Sequence, residues 1–222
     1  MYRTIQYIPQ GKQLMEPTQE TYSQLHKAYG FFNQVLFGNR LTPCVITLQR
    51  QREAYGYFWG NTWKARREGT VTDEIALNPD SFQDRSDMEV LSTLVHEMTH
   101  LEQHHFGKPS RNGYHNHEWS KLMEAVGLIP SNTGENGGKK TGQRMTHYIE
   151  PGGRFENACK KLIKAGFYIP WQAITRNLEE AEKKRASKTK YTCQSCGSNA
   201  WAKPETNLMC GDCEERMTAD DS

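Results

Sequence analysis

The stretch at residues 86–106, SDMEVLSTLVHEMTHLEQHHF, constrains the fold of this chain more than any other. Its apolar residues recur at three- and four-residue steps, which predicts one amphipathic helix with a packed stripe. Ser86 and Glu89 have the spacing of a capping box, in which each side chain bonds a backbone amide of the other residue. We therefore expect a capped helix here, packed against the rest of the domain.

The second half of this helix carries the pattern His-Glu-x-x-His, as His96, Glu97 and His100. Histidines four residues apart project from the same side of a helix, and two neutral imidazoles held in this way can share a zinc ion. Glu97 would then accept a proton from a zinc-bound water. Because the same pattern also fits a helix with two unrelated histidines, a metal site requires a third ligand downstream.

Composition indicates a soluble globular protein. The chain has 222 residues, of which 36% are hydrophobic and 10% aromatic, enough for one medium domain and a small appendage. No apolar run approaches the roughly 20 residues of a membrane span, and the N-terminus lacks the apolar core of a signal peptide. We expect a cytoplasmic protein with no membrane partner, associated with the nucleoid if the source is prokaryotic. The net charge of +2 does not by itself argue for nucleic acid.

Patterns of helix and strand character surround the central helix. Helices are predicted at residues 18–37, 117–126 and 155–165, and strands at residues 44–48, 55–59 and 71–77. The strands follow one another too closely for βαβ crossovers, which predicts a mainly antiparallel or mixed sheet packed on helices, in the α+β class. We also consider residues 71–77 as an edge strand to which a peptide substrate could add, or else as an ordinary sheet strand.

Four of the six cysteines form two C-x-x-C pairs near the C-terminus: Cys193, Cys196, Cys210 and Cys213. In a reducing compartment this spacing indicates metal ligation, and it is close to that of a zinc ribbon. A structural zinc would supply the folding energy that so small a module lacks. The single Cys44 and Cys159 are expected to be small core residues.

A basic stretch precedes the cysteine module. Candidate nucleic-acid-binding residues here and in the module are Lys183, Lys184, Arg185, Lys188, Lys190 and Trp201. The lysines and the arginine would meet phosphates, and the indole would stack on a base. The alternative interpretations are a solvated linker and a tryptophan that packs inside the module.

The third zinc ligand can be sought by pattern. Gln103 and Phe106 occupy the positions where a metzincin has glycine and histidine, which excludes that class. Glu118 and Glu124 fit a site that takes a glutamate from the following helix. The remaining option is a histidine just before that helix.

The pair of segments HEMTH and HNHEW resembles the SprT-like family, whose eukaryotic relatives include the Spartan protease. That family opens the second helix with His-Gly-x-Glu-Phe/Trp, so the resemblance, which spans about residues 18–129, implies His115 as the third ligand. Asn116 departs from the usual glycine, and His117 stays open as an alternative. His104 and His105 fall outside the pattern and are expected at the surface or beside the ligands.

The resemblance implies a zinc metallopeptidase of the zincin type with one catalytic and one structural zinc. Characterised members cleave proteins trapped covalently on DNA and are switched on by DNA, so the expected partners are a protein substrate and single- or double-stranded DNA. Bacterial SprT-like proteins also carry a C-terminal zinc ribbon. The alternatives are a non-enzymatic DNA-binding or regulatory protein, and a peptidase with no nucleic-acid role.

These expectations divide the chain into four parts. They are an N-terminal arm at residues 1–17, a SprT-like zincin domain at 18–130, a linker with an accessory helical segment at 131–190, and a zinc ribbon at 191–216.

Overall fold

The structure is a computed structural model that describes residues 16–111, 113–174 and 188–220. The chain forms two compact units, which divide between Ala173 and Ile174. Most of the predicted N-terminal arm lies outside the described residues. Across the described ranges, no helix combines the length and apolar character needed to cross a membrane.

Unit 1 combines helices and short strands, which confirms the α+β class. Its described helices are α1 (Pro17–Leu36), α2 (Asp87–Phe106), α3 (His117–Val126) and α4 (Arg154–Lys164). Its described strands are β1 (Val45–Leu48), β2 (Gly56–Lys64), β3 (Val71–Leu77), β4 (Leu128–Ser131) and β5 (Thr146–Ile149).

Helix α2 lies at the centre of the core, as its apolar pattern predicts. Its side chains Leu91, Leu94 and Met98 are fully buried. The capping box forms at its N-terminus: the Ser86 hydroxyl accepts a bond from the Glu89 amide, and the Glu89 carboxylate accepts one from the Ser86 amide at 2.7 Å. Local sequence therefore determines where this helix begins, and burial of its stripe holds it in place.

The three-stranded sheet is mixed, as expected: its order is β1-β3-β2, with β1 parallel and β2 antiparallel to β3. The interpretation of residues 71–77 as an edge strand is wrong, because β3 is the middle strand. Residues 73–77 are buried, whereas much of β2 is exposed. The edge strand that lies beside α2 is therefore β2.

Unit 1 continues well beyond residue 130, where the predicted linker begins. Strands β4 and β5 pair as an antiparallel hairpin, and residues 132–145 connect them. Helix α4 contributes Phe155, Cys159 and Leu162 to the main core, where the Phe155 ring stacks on Phe32 with centroids 5.6 Å apart. The glycine-rich stretch is thus a connection inside a hairpin, and the stretch up to Ala173 belongs to unit 1. Cys44 is half-buried at the edge of this core.

Unit 2 holds a second three-stranded sheet in the order β7-β6-β8: β6 (Thr189–Thr192), β7 (Asn199–Ala202) and β8 (Thr218–Ala219). Its small core consists of Tyr191, Cys193, Cys210 and Met217. Few apolar side chains are buried here, so this unit has little hydrophobic stabilisation of its own.

Candidate active site

Three histidines meet at one point of unit 1. His96 and His100 project from α2, and His115 precedes α3 in an isolated β-bridge with Gly142. One ring nitrogen from each histidine lies within 4.8 Å of the others. The two helices and the β4–β5 connection thus bring together side chains that are 19 residues apart in the sequence, His96 and His115.

The indole of Trp119 forms a common wall behind all three rings. It is fully buried, and its ring centroid lies 5.1 Å from His96, 5.2 Å from His100 and 4.3 Å from His115. Such close aromatic packing restricts ring rotation, so the three imidazoles are held in position before any ligand binds.

His115, rather than His117, joins the other two histidines. His117 is the exposed first residue of α3 and is absent from the described three-histidine cluster. The backbone amide and the Nδ1 atom of His115 both face the Gly142 carbonyl oxygen, at 2.8 Å and 3.2 Å. Nδ1–H therefore donates to this oxygen, which leaves Nε2 as the free lone pair.

Asn116 explains why the usual glycine is dispensable at this position. Its backbone is extended, and its side-chain oxygen caps α3 by accepting a bond from the Trp119 amide at 2.9 Å. Asparagine is among the best N-cap residues, so the departure from the family pattern supplies a cap.

The two glutamates considered as third ligands are engaged elsewhere. The Glu118 carboxylate accepts bonds from the Lys108 amide and from Gln103 Nε2, at 2.6 Å and 2.7 Å. Glu124 pairs with Lys140. Neither glutamate belongs to the three-histidine cluster in the described part of the chain.

Burial keeps the three imidazoles neutral. Desolvation lowers the pKa of His96 well below its ordinary value, that of His100 to about 3, and that of His115 in the same direction. Neutral imidazoles offer lone pairs, which is the form that binds a metal ion. The donor set and its protonation therefore fit a zinc ion with three protein ligands.

Glu97 lies beside these rings under the start of β2. Burial raises the pKa of its carboxyl to about 8. A Cβ atom at Gly56 would lie 3.3 Å from Glu97 Oε1 and 2.7 Å from the Ala76 carbonyl oxygen. Only glycine therefore allows β2 to approach Glu97 this closely.

A cleft of about 1480 Å³ lies over the three histidines and Glu97. Residues 56–60 of the edge strand line one part of it, and residues 143–149 around β5 line another. Its size accommodates a polypeptide segment.

His147 of β5 is a site residue that the sequence analysis missed. Its Nδ1 lies 3.0 Å from His96 Nδ1, and its Nε2 lies 2.9 Å from the Ser92 hydroxyl, which donates to the Glu89 carbonyl oxygen at 2.8 Å. Burial lowers the pKa of His147 to about 4, so the ring is neutral.

The hydrogen bonds that link Glu89, Ser92, His147 and His96 allow only one placement of the protons. Since the Ser92 hydroxyl donates to a carbonyl oxygen, it accepts from His147 Nε2–H, and His147 Nδ1 must then accept from His96 Nδ1–H. This leaves the Nε2 lone pair of His96 free for a ligand. No spacing rule connects His147 with the HExxH motif, so no sequence signal indicates it.

In unit 2 the four cysteine sulfurs lie within 4.8 Å of one another, in a second group that could hold a metal ion. Gly197, directly after the first pair, has a φ of 73°, a conformation that favours glycine. The structure thus brings together all four predicted cysteine ligands: Cys193, Cys196, Cys210 and Cys213.

The predicted nucleic-acid-binding residues have different surroundings. Lys183, Lys184 and Arg185 lie outside the described residues. Lys188 is exposed, whereas Lys190 Nζ is 2.6 Å from the Asp220 carboxylate. The Trp201 side chain is 62% exposed, and Tyr191 instead fills the core of unit 2. Trp201 is therefore not the packing residue of this unit.

The α+β fold and the three histidines around a HExxH helix define a candidate metal centre. This chain belongs to the SprT-like family, whose sequence profile matches residues 25–137, about half of its length. The "uncharacterized protein in mucB 3'region" of Salmonella typhimurium is 47% identical over 70 residues, which cover 32% of this chain and 95% of that protein. No solved structure matches. The family match includes His96, His100 and His115 and ends before His147.

Proposed function

We propose that this chain is a zinc-dependent endopeptidase that acts on proteins bound or crosslinked to DNA, with unit 1 as a zincin-type domain and unit 2 as a zinc ribbon. The observation that carries the proposal is the meeting of three neutral imidazoles beside a buried glutamate on one helix. Membership of the SprT-like family supports it.

His96, His100 and His115 would hold the catalytic zinc. Such an ion lowers the pKa of a water molecule and polarises the substrate carbonyl. Glu97 accepts a proton from the attacking water and passes it to the leaving amine. Burial raises the pKa of this carboxyl, which makes its ionised form a stronger proton acceptor.

The edge strand β2 supports a polypeptide substrate. One side of its backbone has no partner within the described sheet, and its residues line the cleft beside the histidines. An extended peptide would add to this edge as a further strand, with main-chain hydrogen bonds that do not depend on sequence. That mode suits an enzyme that cleaves varied proteins.

The DNA part of the proposal draws on unit 2 and on the basic stretch before it. Exposed Trp201 would stack on a base, and Lys188 would meet a phosphate. Lys190 is a weaker candidate than the sequence suggests, because its ammonium already pairs with Asp220. The residues at 183–185 remain candidate phosphate contacts because all three are basic.

The decisive experiment compares wild type with Glu97→Gln on a DNA-binding protein substrate, with no DNA, single-stranded DNA and double-stranded DNA. Glutamine keeps the shape of the side chain but cannot accept the proton, so cleavage should fall by at least about 100-fold. Glu124→Gln, on the surface of α3, is the matched control and should cleave normally.

The outcomes separate the alternatives. Full cleavage by Glu97→Gln would contradict the role given to this residue. Cleavage that does not respond to DNA would favour a peptidase with no nucleic-acid role. No cleavage by a protein with both metal sites loaded would favour a DNA-binding or regulatory protein.

A further inference from the structure

A second cluster of metal-binding side chains lies at the far end of α2. His104 and His105 both face Asp73 of the middle strand β3, and one ligand atom from each residue lies within 4.8 Å of the others. His105 Nε2 is 2.7 Å from Asp73 Oδ2, and His104 Nε2 is 3.9 Å from Asp73 Oδ1. The two imidazoles therefore face different carboxylate oxygens, and only His105 lies within hydrogen-bond distance.

Asp73 is a buried carboxylate, with its side chain only 3% exposed. Buried carboxylates in proteins are paired with a cation, bonded by donors or bound to a metal. The His104 and His105 side chains are 28% and 30% exposed, so solvent and small ions reach the cluster from one side.

An irregularity in β2 shapes the cluster. The register of β2 against β3 shifts between Trp59 and Trp63, and Asn61 within this interval has a φ of 55°. Its amide donates to Asp73 Oδ1 at 2.8 Å, and its side-chain Nδ2 lies 3.1 Å from His104 Nε2. Because Nδ2 carries only hydrogens, His104 Nε2 accepts this bond. A metal ion at Nε2 would take over that lone pair, and the exposed Asn61 side chain would turn away.

We propose that Asp73, His104 and His105 form a binding site for a divalent first-row transition-metal ion such as Zn²⁺. Ligand atoms about 2.0–2.1 Å from a tetrahedral ion lie about 3.3 Å apart. The two N···O distances, 2.7 Å and 3.9 Å, reach this value if each changes by about 0.6 Å. The ion takes the place of the hydrogen between His105 Nε2 and Asp73 Oδ2. His105 then carries its hydrogen on Nδ1 instead, and water from the open side completes the coordination.

Two imidazoles and one carboxylate form a ligand set that zinc and its neighbours in the first transition row accept. The ring of Phe58 separates this set from the three-histidine centre, with its centroid 6.5 Å from His100 and 5.5 Å from His104. A bound ion would join the end of α2 to β3, and so would stabilise unit 1. The proposal does not depend on peptidase activity.

The test is zinc stoichiometry of the untagged full-length chain, measured by native mass spectrometry at rising free zinc. The double variant H104Q/H105Q should hold one zinc ion fewer than wild type. Glutamine at residue 105 keeps an amide donor for Asp73, which preserves the fold. H26Q, which alters an exposed histidine on α1, is the matched control and should equal wild type.

The single variant H104Q leaves the His105–Asp73 bond intact and should weaken the additional zinc by at least about 10-fold. Zinc should also raise the thermal unfolding temperature of unit 1 more in wild type than in H104Q/H105Q, since an ion that binds only the folded state stabilises it. Equal zinc counts in wild type and the double variant would overturn the proposal and leave the His105–Asp73 contact as a structural hydrogen bond.

Discussion

Replacing His147 by alanine should weaken zinc binding at the proposed catalytic site without removing any of its ligands. The change deletes the acceptor of His96 Nδ1–H, at 3.0 Å, and the donor to Ser92, at 2.9 Å. The Ser92 hydroxyl keeps its bond to the Glu89 carbonyl oxygen, so the principal loss is at His96. His96 Nδ1–H then has no acceptor, so the tautomer that presents Nε2 to a metal ion is no longer favoured.

The expected loss of zinc affinity can be worked out from His96 Nδ1–H, the buried donor that loses its acceptor. Such a loss costs about 1–3 kcal/mol, and removal of the partner of a metal-bound histidine weakens metal binding by about 10- to 100-fold. The two figures agree, because those factors correspond to about 1.4–2.7 kcal/mol. We expect zinc affinity to fall within this range, and kcat/KM at limiting zinc to fall in parallel.

Zinc affinity should be measured by competition with a coloured chelator in the full-length chain. Two classes of zinc are expected from the proposed function, and His147→Ala should weaken only one of them. His147→Asn offers an oxygen near the position of Nδ1, so it should recover part of the affinity. If His147 had only a structural role, both variants would lose stability equally and their zinc affinity would be unchanged.

Zinc binding by His147→Ala as tight as that of wild type would contradict the role given to His147. The same holds if His147→Asn binds zinc no better than His147→Ala, because the recovery depends on an acceptor for His96 Nδ1–H.

Three further predictions concern other parts of the chain. Asn116→Ala should lower the free energy of unfolding of unit 1 by about 0.5–2 kcal/mol in urea titrations, whereas Asn116→Gly should lower it by only a few tenths, because glycine is a tolerable N-cap. Cys193→Ser with Cys196→Ser should remove one zinc by metal analysis and abolish the ordered signals of unit 2 in NMR, with unit 1 unchanged. Trp201→Ala should weaken single-stranded DNA binding by about 1–3 kcal/mol in fluorescence titrations, and Lys190→Ala by much less, since Lys190 is already paired.

Local signals account for what the sequence predicts correctly. The capping box and the apolar stripe determine α2 within a single stretch, and the HExxH spacing places His96 and His100 on one side of it. The order of the strands depends instead on pairing between distant segments, which is why the sequence leaves open whether β3 is an edge strand or an ordinary sheet strand. His147 contacts His96 across 51 residues, and no periodic pattern encodes such a contact.

The rotation of an α-helix explains how α2 supplies histidines to two clusters. Each residue turns the helix by about 100°, so His100 lies about 40° from His96, and His104 lies about 80° from it. The first step keeps two rings at one centre, and the second turns the third ring toward β3. His105 lies about 180° from His96. His104 and His105 therefore project from a different side of the helix than His96 and His100. Asp73 lies between these two rings, and Phe58 packs where the two sides meet. The four histidines of this helix therefore divide into two pairs by geometry, although the sequence motif distinguishes only the first.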